Sequence, residues 1–538
     1  MDLHHFLAFD LGAESGRSVV GTLRDGQLSL EEIHRFPNEP VEVCETLHWD
    51  VLALYSNVLK GIREYVARFG DSVDGVGIDT WGVDFGLLDR DGNLLQNPVH
   101  YRDRRSQGMA DELSRRMPHQ ELFRCTGMPV TPVNTSLQLL ALRVKQPALL
   151  HPAGTFLMMP DLLNYFLTGQ KFCERTNAVS TQLYDPLKHQ WSEESFRKLD
   201  LPLRIMPELR DPGTIMGELS ESVRKNVGLK CGVVIAPCTH DTASAVAAVP
   251  GSGEDWAFLS SGTWSVLGAL TDKVFTSQEA FAAGVCNELT LRNSFLCRNI
   301  MGLWLLQQVR AAWRKKGDGY SYEDLVSLAE RVSEATALID PDDPSFYAPE
   351  DMTQTIRQYC TRTRQPQPEK PGDVVRCILA SLALSYRHRL DQLAKLLGRP
   401  FRALNVVGGG SRNSLLCQLT ADATGLRVEA GPVEATVMGN VLVQALAIGA
   451  VKSPGDVRDL VRASSTLVEY EPRDRAVWEE RYGSYVRLLN SSAKEVLRPA
   501  ERADHSSRSE APNAGSSGEC HDCKSSFWRL LADLRKLC

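Results

Sequence analysis

The sequence predicts an α/β protein of two related lobes with a central cleft, followed by a tail of different composition. A short strand, a glycine-bearing polar turn and a second strand occur at the start of the chain and again near its middle. Apolar residues recur at helical spacing between the strands of both halves. After about residue 490, small and charged residues replace the large apolar groups that a core needs, which predicts disorder.

The first half begins with a predicted hairpin, in which the segment LGAESG turns the chain between two apolar strands. Asp50 is a suitable N-cap, and apolar residues then recur at helical spacing until Gly70, which predicts an amphipathic helix. A later buried strand ends at Asp79. The predicted strands of this half lie at 6–10, 18–23, 27–36 and 76–78.

The second half repeats this pattern without a letter-by-letter repeat. The segment SGTWS turns the chain between two strands, and a later strand runs directly into the glycines of VVGGGSRN. We therefore expect an N-terminal lobe over 1–245, a C-terminal lobe over 246–490 and a mostly disordered tail over 491–538 that could end in a short helix. The predicted strands lie at 256–260, 266–270 and 403–407, and the predicted helices at 373–397 and 414–424.

Composition excludes several classes of protein. The 538 residues are 43% hydrophobic and 24% charged, which is typical of a globular protein, and the net charge of −7 gives no general attraction to nucleic acid or anionic lipid. No apolar run is long enough to span a bilayer, and the N-terminus lacks the basic region of a signal peptide. Thirteen scattered cysteines suit a reducing compartment. We expect a cytoplasmic protein with a small-molecule substrate, and we infer no obligate protein partner.

The two polar turns are the best candidates for a phosphate site. The chain has no GxxxxGK[ST] segment, and VVGGGSRN is a weak match to a dinucleotide-binding loop because Asn413 stands at its last glycine position. The first turn offers backbone amides, the Ser15 hydroxyl and Arg17 to phosphate oxygens, and Asp10 at the strand end could hold hydrated Mg²⁺. Either turn alone is more often an ordinary β-turn, but their pairing in two similar lobes favours a site.

Paired turns of this kind are the signature of the actin, Hsp70 and sugar kinase fold, in which ribonuclease H-like lobes hold one triphosphate from opposite sides. Closure of the lobes would exclude water, which phosphoryl transfer needs because positioning and charge stabilisation do most of its chemistry. The second strand–turn–strand unit, with Thr263 in its turn, would contact the nucleotide from the C-terminal lobe.

Asp241 is the candidate base. It follows the apolar strand at 232–236, and the small residues after it allow a helix to begin close to a ligand. An aspartate within reach of a sugar hydroxyl could accept its proton as the oxygen attacks the γ-phosphate. The alternative is that Asp241 only caps the helix, and the residues alone favour neither reading.

These residues stand in motifs that resemble the FGGY carbohydrate kinase family, over roughly residues 7–496 without the tail. Within that family the chain is most similar to the kinases of L-rhamnulose. The matching runs follow the order and spacing typical of the family. They are FDLGAESGR, GIDTWGVDFGLLD, YRDRR, LMMPDLLNYFLTG, THDTASAV, LSSGTWS, NIMGLWLLQ, VVGGGSRN and AGPVEATVMGN.

The resemblance implies a role for each matching position. Asp241 would be the base, and Asp10 would help to place Mg²⁺. The substrate-binding residues would be Gly82, His240, Asp241, Thr242 and Asn299, and the ATP-binding residues would be Ala13, Glu14, Ser15, Gly16, Arg17, Thr263, Gln307 and Gly409. The family usually has a small hydroxyl residue where Glu14 stands. Because a carboxylate would repel phosphates, we expect Glu14 to point to solvent.

The implied activity is transfer of the γ-phosphoryl group of ATP to the 1-hydroxyl of L-rhamnulose, with Mg²⁺, in L-rhamnose breakdown. One alternative is a related deoxyketose such as L-fuculose, because a single inverted hydroxyl changes contacts that the sequence does not resolve. Another is an actin-like sensor that binds sugar and ATP without turnover, although the presence of Asp241 argues against it.

Other features have plainer interpretations. Arg102 and Asp103 could reach a ligand, but charge runs such as 102–105 usually face solvent. Trp81 and Trp304 could stack on a sugar, although Trp304 is better explained as a core residue. Cys360 and Cys377 could form a bridge, but free thiols are favoured in a reducing compartment. The tail segment CHDC is half of a zinc site without a second pair, so no structural metal is predicted.

Overall fold

The computed structural model describes residues 3–496, and the strands of this part form two large sheets and several short pairs. In chain order the strands are β1 His4–Leu11, β2 Ser15–Arg24, β3 Gln27–Pro37, β4 Val41–Val43, β5 Thr46–His48, β6 Gly75–Thr80, β7 Phe85–Leu88, β8 Thr155–Met158, β9 Cys173–Glu174, β10 Tyr184–Asp185, β11 Gln190–Trp191, β12 Leu209–Arg210, β13 Ile215–Glu218, β14 Val233–Ile235, β15 Trp256–Ser261, β16 Trp264–Thr271, β17 Cys286–Leu289, β18 Ser294–Met301, β19 Ala403–Val407, β20 Arg427–Ala430 and β21 Val468–Tyr470.

The helices lie between and around these strands. The Asp50 side chain accepts a hydrogen bond from the Ala53 amide at the start of the first helix, which ends before Gly70 as predicted. The helices are α1 Val51–Phe69, α2 Met109–Arg116, α3 His119–Thr126, α4 Thr135–Lys145, α5 Pro147–Leu150, α6 Met159–Thr168, α7 Arg175–Ser180, α8 Glu193–Leu199, α9 Glu221–Val227, α10 Asp241–Ala247, α11 Gln278–Ala283, α12 Trp304–Lys315, α13 Tyr322–Glu330, α14 Met352–Arg362, α15 Pro371–Leu397, α16 Ser414–Thr424, α17 Ala435–Ala447, α18 Pro454–Ser464 and α19 Arg475–Val496.

The two large sheets share one plan. The first has the order β13-β14-β6-β1-β2-β3, in which β1, β2 and β3 are antiparallel and β6 and β14 continue in parallel from β1. The second has the order β17-β18-β16-β15-β19-β20-β21, in which β18, β16 and β15 are antiparallel and β19 and β20 continue in parallel from β15. The prediction of two related ribonuclease H-like lobes is confirmed.

Each sheet is buried beneath its own helices. In the first lobe Leu7 and Phe9 of β1 and Ile78 of β6 pack with Val58 and Ile62 of α1 in one fully buried cluster. In the second lobe the long helix α15 is buried along most of its length, because its apolar residues face both the sheet and the neighbouring helices. These cores fix the strand ends from which the polar turns project.

Helix α17, from the second half of the chain, lies on the sheet of the first. Asn440 donates to the Asp79 carboxylate at 2.5 Å, and Gln444 donates to the Leu7 carbonyl. The same helix crosses α10 so closely that a Cβ at Gly439 would lie 1.9 Å from the Ser244 carbonyl oxygen. The predicted boundary between residues 245 and 246 falls inside α10, and the division of the chain there stays a prediction.

Differences from the sequence predictions are confined to turns and to the chain end. Both hairpin turns are shorter than predicted, because the flanking residues continue the antiparallel ladder and leave only residues 12–14 and 262–263 between strands. The expectation of disorder from residue 491 is wrong for its first six residues, since α19 continues to Val496. The rest of the tail, with its possible terminal helix and CHDC segment, lies outside the described residues.

Two further expectations concern thiols and membranes. Cys360 and Cys377 are both buried free thiols in this structure, and the expectation that they stay unbridged in a reducing compartment remains a prediction. Among residues 3–496, no helix combines the length and the apolar character that crossing a bilayer requires.

Candidate functional site

The first hairpin gathers charged groups at the end of β1. The register pairs Asp10 of β1 with Arg17 of β2, and the Arg17 guanidinium donates to the Asp10 carboxylate at 2.8 Å. A second guanidinium nitrogen lies 2.5 Å from the Glu434 carboxylate, directly before α17. Both carboxylates keep Arg17 charged and raise its pKa, although burial opposes the charge. The hairpin therefore carries a fixed positive group between two negative ones.

The turn itself combines open positions with one tightly packed glycine. Glu14 is exposed, as expected from the repulsion between a carboxylate and phosphates, and its carbonyl accepts the Asn38 amide. Ala13 and Ser15 are half-buried beside it. A Cβ at Gly16 would lie 2.4 Å from the Phe36 ring, so packing alone requires glycine there. Packing against Phe36 is therefore a second explanation for glycine at position 16, besides the predicted contact with phosphate.

The second hairpin is held by neutral hydrogen bonds. The Thr263 carbonyl accepts the amides of Gly302 and Trp304, and the Gln307 side chain donates to the Thr263 hydroxyl at 3.2 Å. Two predicted nucleotide-side residues, Thr263 and Gln307, are therefore in direct contact. Gly409, the third, is exposed at the first position of the turn that follows β19, with open space where a Cβ would stand.

Asp241 is the first residue of α10, and its side chain is 32% exposed. Its Oδ1 accepts from the Thr242 amide at 2.5 Å and from the Thr242 hydroxyl at 3.2 Å. The N-cap position belongs to His240, but the Asp241 side chain still accepts a free amide of the first turn, so the choice between helix support and the base role stays a prediction. Burial and the nearby Asp10 carboxylate raise the pKa of Asp241, while His240 lowers it. The group has the partial exposure and raised basicity of a general base.

A third carboxylate, which the sequence analysis did not select, lies beside these two. Asp79 is fully buried on β6, and its backbone is paired with that of Asp10. Burial, followed by the negative charge of Asp10, raises the pKa of Asp79 well above its usual range. The sequence predicted a strand that ends at Asp79. It did not show that Asp79 lies beside Asp10, because that contact depends on the parallel pairing of β6 with β1.

His240 and Gly82 lie next to each other beside Asp241. The His240 side chain is 13% exposed, with Nε2 at 3.5 Å from Asp241 Oδ1 and Nδ1 at 3.3 Å from Glu288 Oε2. A Cβ at Gly82 would lie 2.9 Å from the Ser180 hydroxyl oxygen and 3.3 Å from His240 Nε2. The absence of a side chain at Gly82 therefore leaves room beside the imidazole, and Glu288 is a second residue that the sequence analysis missed.

The backbone after Gly82 is strained and firmly held. Val83 has φ of 69°, a conformation that is unfavourable for a β-branched residue. Its amide donates to the Ser180 hydroxyl at 3.0 Å, and its carbonyl accepts the Thr135 hydroxyl at 2.6 Å. Strain that is fixed in this way often occurs at binding sites. It sets the position of the Gly82 backbone.

Asp84 organises the buried aromatic residues of the same loop. Its carboxylate accepts the indole nitrogens of Trp49 at 2.6 Å and Trp81 at 3.0 Å, and the Gln138 amide at 3.0 Å. Burial raises its pKa to about 6 even though these donors favour the ionised form. Trp81 is thus a structural residue, 7% exposed, rather than an open stacking surface.

A crevice between the lobes lies at the end of the strand that carries Asn299. Asn299 is exposed on β18, and Met301 follows it on the same face of the strand. Trp304 is half-buried, donates to the Phe346 carbonyl and lies under the Arg102 guanidinium at 5.9 Å from the ring centre. The core interpretation of Trp304 is therefore only partly correct. The crevice is lined by Arg102, Trp264, Met301, Trp304 and Tyr347.

The charge run at 102–105 divides between surface and interior. Arg102 and Arg104 are exposed, whereas Arg105 donates to Gln138 at 2.7 Å and is half-buried. Asp103 is buried, and its two oxygens accept the amides of Leu47 and Arg105. Asp103 therefore holds the local fold, and Arg102 is the member of this run that borders the crevice.

Comparison with known proteins matches both halves of the chain. The N-terminal domain of the FGGY family of carbohydrate kinases matches residues 5–248, and its C-terminal domain matches residues 257–448. The chain is 43% identical to a rhamnulokinase of Bacteroides thetaiotaomicron, over 89% of this chain and 98% of that protein. It is 39% identical to a rhamnulokinase of Enterococcus faecalis, over 90% and 97%. The fold is similar to that of a xylulose kinase from Lactobacillus acidophilus, with a TM-score of 0.77 at 15% identity, covering 91% and 98% of the two chains.

Proposed function

The chain belongs to the FGGY family of carbohydrate kinases, and we propose that it transfers the γ-phosphoryl group of ATP to the 1-hydroxyl of L-rhamnulose. The products are L-rhamnulose 1-phosphate and ADP, and the reaction belongs to L-rhamnose catabolism. The similarity to rhamnulokinases along almost the whole chain supports this substrate. Because ATP is an intracellular cosubstrate, we expect the reaction to take place in the cytoplasm.

The observation that carries the proposal is the placement of Asp241. Its carboxylate is partly exposed, directly follows the N-cap residue of α10, and lies close enough to Asp10 for the two charges to interact. When the 1-hydroxyl attacks phosphorus, Asp241 accepts the hydroxyl proton, a role worth roughly 10²- to 10⁴-fold in rate. Its raised pKa makes it a stronger base than an exposed aspartate.

The remaining proposed residues divide between sugar and nucleotide. Asn299 offers both a donor and an acceptor to neighbouring sugar hydroxyls, and the missing side chain at Gly82 lets the ketose approach the backbone next to His240. Arg17 and Ser15 contact the triphosphate from the first hairpin, and Thr263 contacts it from the second. Thr242 supports Asp241 through the two hydrogen bonds that its amide and hydroxyl donate.

The charges around Asp10 fit a magnesium ion that accompanies ATP. Hard carboxylate oxygen is the ligand that Mg²⁺ prefers. Asp10 lies near two other carboxylates, because burial and, after it, the negative charge of Asp10 raise the pKa of both Asp79 and Asp241. We propose that Asp10 holds the hydrated ion. Bound there, Mg²⁺ would neutralise charge on the phosphate oxygens during transfer. Arg17 already neutralises part of the negative charge of Asp10, because its guanidinium donates to that carboxylate.

A coupled ADP-release assay over a panel of ketoses tests the proposal. We expect kcat/KM for L-rhamnulose to exceed that for L-fuculose and for xylulose by at least tenfold, with product identified as the 1-phosphate. Equal values for L-rhamnulose and L-fuculose would contradict the named substrate. Binding of sugar and ATP without ADP release would contradict the kinase and favour a sensor.

A further inference from the structure

Glu288 brings a buried carboxylate from the second lobe to the imidazole beside Asp241. It lies on β17, is 5% exposed, and its Oε2 is 3.3 Å from His240 Nδ1. Both atoms are buried, and within the part of the chain that the structure describes neither has a partner with hydrogen-bond geometry, so the contact between them is an ion pair by distance. A buried carboxylate and a buried imidazolium at this distance each stabilise the charge of the other.

The strand that carries Glu288 is fixed on both sides. The neighbouring Asn287 side chain donates to the carbonyls of Gly127 and Phe275, each at 2.9 Å, and accepts the Phe275 amide at 2.6 Å. The second oxygen of Glu288 accepts from the Cys297 thiol at 3.7 Å. The carboxylate is therefore held in place independently of His240.

The groups that face His240 are predominantly acidic. Asp241 lies on the same element, Glu174 accepts the amide and hydroxyl of the preceding Thr239, and Glu288 approaches from β17. Burial lowers the tendency of His240 to carry charge, but these carboxylates outweigh it and raise its pKa to about 9. The ring is thus an imidazolium at neutral pH and can donate from both nitrogens.

We propose that Glu288 is a positioning residue for sugar phosphorylation, which pairs with Nδ1 of His240 and thereby directs Nε2 toward Asp241 and the ketose. The effect on catalysis rests on the proposed function, whereas the pairing of Glu288 with His240 does not. The imidazolium orients the attacking sugar by a hydrogen bond and favours the ionised form of Asp241. Loss of Glu288 frees the ring to turn and removes one of the carboxylates that keep it charged.

A metal site is the competing explanation for the same residues. The ligand atoms of Cys286, Glu288 and Cys297 lie within 4.8 Å of one another, and all three residues are buried. Thiols must lose their protons to bind a metal, whereas burial raises the pKa of Cys297. The contact of the other Glu288 oxygen with His240 also needs no metal. The observations favour a carboxylate supported by thiols.

The test compares Glu288→Gln with Glu429→Gln. Glu429 is another buried glutamate of the second lobe, 3% exposed, but it pairs with Arg427 and Arg462 instead of histidine. The titration of the His240 ring is followed by NMR on histidine-labelled protein and assigned with His240→Gln. We expect Glu288→Gln to lower the His240 midpoint by at least one pH unit and kcat for L-rhamnulose by at least tenfold, with KM for ATP within twofold. Glu429→Gln should change none of these.

An unchanged His240 titration in Glu288→Gln would overturn the proposal, whatever the activity. A wild-type protein that phosphorylates no ketose but shows the shifted titration would instead overturn the proposed function and leave the pairing supported. If Glu288→Gln does not fold, the titration and kcat of Glu288→Asp are measured, and values equal to wild type overturn the proposal. Equal loss of activity in Cys286→Ala with Cys297→Ala, reproduced by a zinc chelator, would identify a metal site and also overturn it.

Discussion

The two hairpins share a topology but differ in charge. The first brings together Asp10, Arg17 and Glu434, whose side chains form a chain of ion pairs. The second is held by backbone amides and by the uncharged contact between Thr263 and Gln307. The two turns therefore occupy equivalent places in their sheets but present different chemical groups. We expect the first to act on the charge of the triphosphate and the second to act on its placement.

The largest effect should come from Asp241, which belongs to neither hairpin. Asp241→Asn removes the proton acceptor, and we expect kcat to fall about 10²- to 10⁴-fold in the ADP-release assay. L-Rhamnulose binding, measured by calorimetry, should change little. Because burial opposes the charge of this carboxylate, the variant should unfold at the same temperature as the wild type or higher. Turnover near the wild-type rate would remove Asp241 from the base role.

Arg17→Gln tests the charged hairpin directly. Charge-assisted hydrogen bonds contribute about 1.5–3 kcal/mol each, so we expect kcat/KM for ATP to fall about 10- to 100-fold. Arg35→Gln is the matched control, because Arg35 stands opposite Arg17 in the sheet but pairs with the exposed Glu32. If kcat/KM for ATP fell equally in both variants, the loss would come from removing any arginine on these strands. That result would contradict the proposal that the first hairpin acts on the charge of the triphosphate.

The pH dependence of the reaction should report the ionisation of Asp241. Burial and Asp10 raise the pKa of Asp241, and only the ionised form accepts a proton. As pH falls through that raised pKa, kcat/KM for L-rhamnulose should decline tenfold per unit, beginning above the range of an exposed aspartate. The profile is measured with saturating Mg²⁺ and corrected for acid unfolding. An acid limb at the position of an exposed aspartate would contradict the assignment.

The sequence predicted most of the fold because its signals are local. Apolar runs located the strands β1, β15 and β19, and Asp50 with Gly70 located α1. The site was predicted less completely, since its missing members depend on contacts between distant segments. Glu434 reaches Arg17 from the other half of the chain, and Glu288 approaches His240 only because β17 joins the second sheet. No local pattern of residue types indicates such pairs.

Gly12 and Gly16 of the first hairpin allow the effect of packing on stability to be measured apart from any role in ligand approach. A Cβ at Gly16 would meet the Phe36 ring at 2.4 Å, whereas one at Gly12 would meet only the Ser15 carbonyl oxygen at 3.4 Å. We expect Gly16→Ala to lower the free energy of unfolding by about 1–3 kcal/mol through overpacking, and Gly12→Ala to leave it nearly unchanged. Denaturant unfolding measures both. Equal stability of the two variants would assign the glycine at 16 to phosphate approach instead.

The smallest effect should come from the neutral hairpin. Thr263→Val keeps the shape of the side chain but removes the acceptor of the Gln307 hydrogen bond, a contact worth about 0.5–1.5 kcal/mol. If that bond serves to place the nucleotide, KM for ATP should rise about 2- to 10-fold while kcat stays within twofold. Gln307→Ala should cause a similar rise, and the double variant should show no further loss, because both changes remove one shared contact. Additive losses would mean that Thr263 and Gln307 act on ATP separately, and a fall in kcat comparable to that of Arg17→Gln would remove the contrast between the two hairpins.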